Sequence, residues 1–219
     1  MFFLRPPRFK RGIFAPQMQS SNTLPVMEQF YTLQGEGRYT GHAAYFIRLA
    51  GCDVGCVWCD VKESWDRDAH PDQTVEQLVD ACVESGAAIA VITGGEPLMH
   101  NLTELTQALR AKSIRTHVET AGVHALTGEW DWICFSPKKF KAPLEEYYTQ
   151  AHELKVVVYN RHDLQWAETH AEKVGPDCAL FLQPEWVRRE DVLPLLLNHI
   201  RDTPKWALSQ QTHKYLGIP

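Results

Sequence analysis

The sequence predicts an α/β fold, a parallel sheet covered by outer helices, and three observations predict it. Short apolar runs of strand length alternate with helix-length amphipathic runs from residue 44 onward. Start and stop signals flank the helix-like runs. Polar clusters bearing glycine or proline follow strand after strand, as in parallel folds that gather ligands at the carboxyl ends of their strands. With 219 residues and 44% hydrophobic content, the chain holds enough apolar material for one domain of ordinary size.

The segment before residue 25 stands apart. Arg5, Arg8, Lys10 and Arg11 occur with no acid before Glu28, and Pro6, Pro7 and Pro16 oppose any helix. Met1–Leu4 is too short for a signal-peptide core. Residues 1–24 are assigned to a leader, either disordered or preceding a native start at Met18 or Met27. Residues 25–219 are assigned to a single domain.

The first core strand, 44–49, runs into a cysteine-bearing loop. Thr74-Val75-Glu76-Gln77 opens a helix to Ser85, stopped by Gly86, the pattern of a capping box and a glycine C-cap. Strand 88–93 leads into Gly94-Gly95-Glu96-Pro97. Asn101 with Glu104 repeats the capping signature for a helix over 102–112. Strand 114–118 ends at Glu119-Thr120-Ala121-Gly122, and strand 130–135 at Ser136-Pro137-Lys138. Strand 154–159, helix 163–174 and strand 179–183 follow, the last running into Gln183-Pro184-Glu185. Helix 191–201 and strand 206–209 lead to Ser209-Gln210-Gln211-Thr212-His213-Lys214. One such cluster is an ordinary turn; six of them predict one active-site face.

Composition removes several function classes. A net charge of −5 opposes a nucleic-acid surface. No apolar run reaches the ~18 residues needed to span a bilayer. Six cysteines, three clustered and three scattered, do not form a secreted disulfide framework, so a reducing cytoplasm is expected.

Cys52, Cys56 and Cys59 lie in GCDVGCVWCD with spacing C-x3-C-x2-C. A structural zinc takes four protein ligands, often as two C-x2-C pairs, and no second pair exists. Cys82, Cys134 and Cys178 sit singly in apolar segments and read as core residues. Three local thiolates suit a four-iron cluster with one iron left for a small molecule. This spacing resembles the radical S-adenosylmethionine (SAM) superfamily, in which SAM chelates that iron. Gly94-Gly95-Glu96-Pro97 is by itself a tight turn; downstream of the trio it matches the superfamily's Gly-Gly-Glu motif. There the glycines are expected to let backbone approach the ligand, with the exposed carbonyls and Glu96 accepting from its ammonium group. Gln34 and Glu36 in TLQGEG offer a donor–acceptor pair for a flat amide-bearing heterocycle, or else a solvent turn. Arg48, within an apolar strand, needs an anion, which a substrate carboxylate or a protein carboxylate supplies equally well.

TLQGEG, FIRLAGCDVGCVWCD, ITGGEP, VETAG, SPK, LQP and QTHKYLGIP together resemble the 7-carboxy-7-deazaguanine synthase family over residues 25–219. TLQGEG and QTHKYL are the family-specific marks. The resemblance implies an abbreviated, partial (β/α) barrel of the radical SAM type, in a homodimer. It implies conversion of 6-carboxy-5,6,7,8-tetrahydropterin to 7-carboxy-7-deazaguanine with loss of ammonia, on the route to 7-deazapurines such as queuosine. A SAM-derived radical would take hydrogen from C6, and SAM would be regenerated. An electron donor such as flavodoxin or ferredoxin is implied.

Carried over by motif, Cys52, Cys56 and Cys59 hold the 4Fe-4S cluster. SAM meets Trp58, Cys59, Asp60, Gly95, Ser136, Pro137, Lys138, Gln183, Pro184, Glu185 and Trp186. Substrate meets Leu33, Gln34, Gly35, Arg48, Thr93, Glu119 and the terminal carboxylate of Pro219, positioned by His213 and Lys214 on a terminal strand. Relatives commonly carry a hydroxyl residue as Mg2+ ligand two positions after the last cluster cysteine, where this chain has Val61. Mg2+ is still expected, held by backbone carbonyl, water and substrate or by Asp60 or Glu63, the alternative being that it is dispensable. Two rivals remain at this point: an activase that installs a glycyl radical on a partner, which leaves TLQGEG and QTHKYL unexplained, and a zinc-bound interaction module without catalysis.

Overall fold

The computed structural model describes residues 22–219. Residues 1–21 of the expected leader lie outside them. Thr23 and Leu24, assigned to that leader from sequence, begin the first strand, and Leu24 is buried.

In chain order the elements are β1 (Thr23–Leu33), β2 (Ala43–Leu49), β3 (Asp72–Thr74), α1 (Val75–Glu84), β4 (Ile89–Gly94), α2 (Thr103–Ala111), β5 (Arg115–Thr120) and β6 (Trp132–Phe135). They continue as α3 (Glu146–Gln150), β7 (Glu153–Val158), α4 (His162–Ala171), β8 (Ala179–Pro184), α5 (Arg189–Asp202), β9 (Trp206–Leu208) and α6 (Thr212–Leu216). One sheet holds all nine strands, in the order β3-β1-β2-β4-β5-β6-β7-β8-β9. From β2 through β9 neighbouring strands pair in parallel, as expected for a partial (β/α) barrel. The edge departs from the expectation: β1 pairs antiparallel with both β2 and β3. Its alternation is broken by a register shift between Val26 and Glu28, and Pro25 stands in it opposite the three-residue β3. Proline is tolerated at such an edge but hides the strand pattern.

Local chemistry sets the helix starts. Thr74 accepts from the Gln77 backbone N–H at 3.2 Å, and the Gln77 side chain accepts from the Thr74 N–H at 2.9 Å, which completes the expected capping box. The start of α2 differs. Asn101 does accept from Thr103 N–H at 3.0 Å, but Leu102 is the N-cap and Glu104 makes no return bond. α1 buries Val75, Leu78, Val79 and Cys82 against the sheet, about 2 kcal/mol for a side chain the size of Leu78.

Period-two alternation sorts the parallel strands into two faces. Ile47, Leu49, Ile92, Val118, Leu154, Val156 and Leu182 enter the main core beneath the helices. Their neighbours Phe46, Arg48, Thr93, Glu119, Lys155, Val157 and Gln183 face a cavity on the inner side. The 34–42 segment closes this inner side toward the amino ends of the strands. Gly37 N–H donates to Ser209 Oγ at 2.9 Å, and Arg38 N–H to Glu153 Oε2 at 3.0 Å. The Tyr39 ring packs edge-on against His117 and Trp132, with centroids 4.5 and 5.0 Å away.

Candidate active site

The cavity, about 450 Å3, sits at the carboxyl ends of the strands. Cys52, Cys56, Cys59, Trp58, Asp60, Gly95, Ser136, Lys138 and 183–186 line it, with 33–35, Arg48, Thr93, Glu119 and Pro219. Strand register explains part of this set: Arg48 pairs with Thr93, and Glu119 follows the Ile92–Val118 pair by one residue. Pro137 is the exception. It lines an adjoining cavity of about 660 Å3 with Phe140, Tyr159 and Trp166, reached past Trp58, Lys138 and Trp186.

The cysteine loop is held by its backbone. Gly51 N–H donates to Ser64 O at 2.7 Å and Cys52 N–H to Trp65 O at 3.2 Å. Cys56 and Val54 pack with Ala121 and Val123, flanked by Cys52 and Cys59. Burial raises the Cys52 thiol and, against the opposing charge of Lys138, takes Cys56 up to about 11. A bound cation reverses that preference, since coordination deprotonates a thiol. Among the described residues no three such side chains converge on a single-ion position. The donor set, three thiols of one loop facing one cavity, fits an iron–sulfur cluster.

The Gly94-Gly95-Glu96 turn packs against the cysteine loop. A Cβ on Gly94 would meet Leu49 O at 2.2 Å, and one on Gly95 would meet Gly51 O at 2.4 Å and Cys52 Cβ at 2.7 Å. Gly94 also has φ +153°. The glycines thus let the turn seat against the cysteine loop. Gly95 N–H donates to Leu49 O at 3.0 Å and Glu96 N–H to Gly51 O at 2.8 Å. The Glu96 carboxylate, 1% exposed, accepts from Thr120 Oγ1 (2.6 Å), Ala121 N–H (2.8 Å) and Leu98 N–H (3.2 Å). It ties β4 to β5, and both its oxygens are engaged within the protein.

At the other end, Gln34 donates to Glu119 at 2.8 Å while its Oε1 accepts from Glu36 N–H at 3.0 Å, so this segment is no solvent turn. Lys155 Nζ reaches Glu36 at 2.5 Å and Glu119 at 3.1 Å. Burial opposes every charge here. Lys155 nevertheless stays protonated, raised by the acidic groups around it (Cys134, Glu119, Glu36 and Glu153), and in turn it holds Glu36 below the ordinary carboxylate value. Sequence reasoning missed Lys155, although a lysine inside the apolar run LKVVV gave the same signal as Arg48.

Arg48 Nε bonds the Glu28 carboxylate, its antiparallel partner across β1, at 2.6 Å. Among the described residues its two terminal nitrogens make no protein hydrogen bond. The chain end docks as helix α6, not as the expected strand. Thr212 N–H donates to Gly35 O at 2.9 Å, and His213 fills the space a Gly35 side chain would need. Lys214 and Gln211 both donate to Asp60, at 2.5 and 3.1 Å. Two residues expected at SAM commit their side chains elsewhere: Gln183 Oε1 accepts from Ser209, and Glu185 caps Val187 and Arg188 N–H.

The residues near Val61 do not fit Mg2+. Val61 O already accepts from Ser64 N–H and Oγ, at 3.2 and 2.7 Å. Asp60 is bridged to Lys214 and Gln211, and Glu63 is exposed, away from the cavity wall.

Residues 46–133 match the radical SAM superfamily. The chain is 51% identical to the 7-carboxy-7-deazaguanine synthase of Flavobacterium psychrophilum, over 92% of this chain and 96% of that one. The chain belongs to the 7-carboxy-7-deazaguanine synthase family. A second member, from Synechocystis, is 47% identical over 89% and 93% of the two chains. The crystal structure of QueE from Escherichia coli matches with a TM-score of 0.78 at 32% identity, covering 87% of this chain and 95% of the other. Family membership makes the chain a radical SAM enzyme with a 4Fe-4S cluster and SAM as cofactors. The activase and zinc-module rivals fall with that assignment. Among the described residues no helix is long and apolar enough to cross a membrane.

Proposed function

We propose that this enzyme converts 6-carboxy-5,6,7,8-tetrahydropterin to 7-carboxy-7-deazaguanine with release of ammonia, supplying 7-deazapurines such as queuosine. The observation that supports this reading most is a single cavity. It joins the cysteine trio to Gln34, Glu36, Glu119 and Arg48, groups suited to a flat carboxylated heterocycle.

Cys52, Cys56 and Cys59 would hold the cluster, whose free iron takes SAM. Backbone of 183–186 and of the 94–95 turn, with Ser136, Lys138 and Trp58, would seat SAM beside it. When bound, the two supply one-electron chemistry that moves a hydrogen at pterin C6. The chain's own part is to place C6 and exclude water. Arg48 offers its free guanidinium fork to the substrate carboxylate. Gln34, Glu36 and Glu119 meet the ring's polar edge, and Phe30, Phe46 and Val157 give apolar walls. The Pro219 carboxylate closes the cavity from α6. A homodimer, a flavodoxin- or ferredoxin-type donor and a cytoplasmic setting complete the proposal.

Anaerobic incubation of the reconstituted enzyme with SAM, a reductant and 6-carboxytetrahydropterin, read by mass spectrometry, tests it. The expected product is 7-carboxy-7-deazaguanine with one ammonia each. SAM cleavage without consumption of the pterin would reject the substrate.

A further inference from the structure

We propose that Lys155 is a positioning residue for heterocycle selection: it holds Glu36 and Glu119 together as a two-carboxylate edge that accepts 2-amino-4-oxo pteridines and rejects 2,4-dioxo ones. This rests on the pterin reading above and specifies how that site chooses its ring.

Lys155 is 3% exposed, and its two partners come from distant parts of the chain. Glu36 arrives on the 34–42 segment, Glu119 on β5, and Lys155 itself on β7. One buried ammonium needs one counterion. Here two carboxylates contact it and a third acid, Glu153, lies close by and is also 3% exposed. Glu153 is accounted for by the bonds it accepts from Arg38 N–H and Trp132 Nε1; the pair Glu36 and Glu119 still exceeds what one lysine needs. The protein does not supply enough donors. Glu119 receives one bond from Gln34 and one from Lys155, and Glu36 receives Lys155 beside Gln211. A carboxylate pair offers about eight acceptor sites in all. Nearby His213 adds no charge, because burial pulls its pKa down.

At Lys155 the cavity wall therefore presents spare acceptors, two glutamates against the one lysine that contacts them. A ligand edge placed there has to donate. The 2-amino group and adjacent ring N–H of a 2-amino-4-oxo pteridine form such an edge, in the side-by-side geometry a carboxylate accepts. Replacing the amino group by a carbonyl turns lone pairs toward the carboxylates. Polar sites of this kind discriminate strongly, because the mismatch leaves buried groups unpaired. Without the Lys155 cation, the two glutamates would repel, separate or take up a proton, and the edge would be lost.

The test is equilibrium dialysis of holoenzyme, without reductant, against 6-carboxypterin and 6-carboxylumazine, with SAM binding as a control for folding. The native enzyme should prefer the pterin by roughly 100-fold. Lys155→Met should bring that ratio to within about 3-fold while SAM binding is kept. Should Lys155→Met not fold, Glu36→Gln keeps the shape, removes one charged acceptor and should lower the ratio by about 10-fold. Equal binding of the two rings by the native enzyme would overturn this selectivity and leave the pterin reading standing. So would a ratio unchanged in both variants. If the native enzyme binds SAM but neither ring, the pterin reading fails and takes this assignment with it.

Discussion

Replacing Gly95 by alanine tests whether the glycine turn exists to seat the cysteine loop. The backbone of Gly95 is open to an L residue, since its φ lies outside the left-handed region, so the effect is purely steric. The new methyl would stand 2.4 Å from Gly51 O, against 3.4 Å for an ordinary contact, so turn or loop must yield by 3.4 − 2.4 = 1.0 Å. Two bonds cross that seam, Gly95 N–H to Leu49 O and Glu96 N–H to Gly51 O. At about 1 kcal/mol each, their weakening plus residual strain costs about 2–3 kcal/mol. For a chain of this size that is a fall in Tm of roughly 4–12 °C. The assay is iron per chain after anaerobic reconstitution, with thermal unfolding, both without SAM. Gly175→Ala, where a Cβ meets nothing within 4 Å, is the control and should change neither. Full iron loading and native Tm in Gly95→Ala, with SAM affinity alone reduced, would refute the seating argument and leave the glycine to ligand contact alone.

Three further outcomes follow from the same geometry. Cys52→Ala, Cys56→Ala and Cys59→Ala should each lose the reconstituted cluster by iron analysis, whereas Cys82→Ala, Cys134→Ala and Cys178→Ala should cost only about 1 kcal/mol of packing. His117 and His170 are buried and held neutral, each with a pKa of about 4 against 6.5 unfolded. The unfolded chain binds the extra protons, so their contribution is full above pH 6.5 and fades as pH falls toward 4, by about 3 kcal/mol per histidine. His117→Phe should flatten that part of a denaturant-midpoint profile, and an unchanged profile would contradict it. With the Val61 carbonyl bonded by Ser64 and Asp60 Oδ2 bridged to Lys214 and Gln211, pterin binding should not respond to Mg2+ in the native chain, while Val61→Thr should create a Mg2+-dependent gain; a Mg2+ requirement in the native chain would contradict this.

The parallel strands were legible because their inner and outer residues differ in chemistry, and Arg48 within FIRL already signalled an inward-facing polar wall. β1 was not legible: Pro25, a register shift and a half-exposed face blur its alternation. α6 was read as a strand because five residues cannot display a helical period. Side-chain commitments were the least readable. Glu96, Gln183 and Glu185 have the right chemistry for a ligand, but partners far away in sequence claim oxygens of Glu96 and Gln183, and a local cap claims those of Glu185. The same long-range logic hid Lys155, which gains meaning only once the 34–42 segment folds back onto β5 and β7.

The central claim is that one cavity holds the cysteine trio and a pterin close enough for hydrogen to pass between pterin C6 and SAM. Substrate deuterated at C6, turned over with substoichiometric SAM, tests it most directly. Deuterium should appear in recovered SAM, and each SAM should support many products. Unlabelled SAM, or one 5′-deoxyadenosine accumulating for every product, would contradict the account.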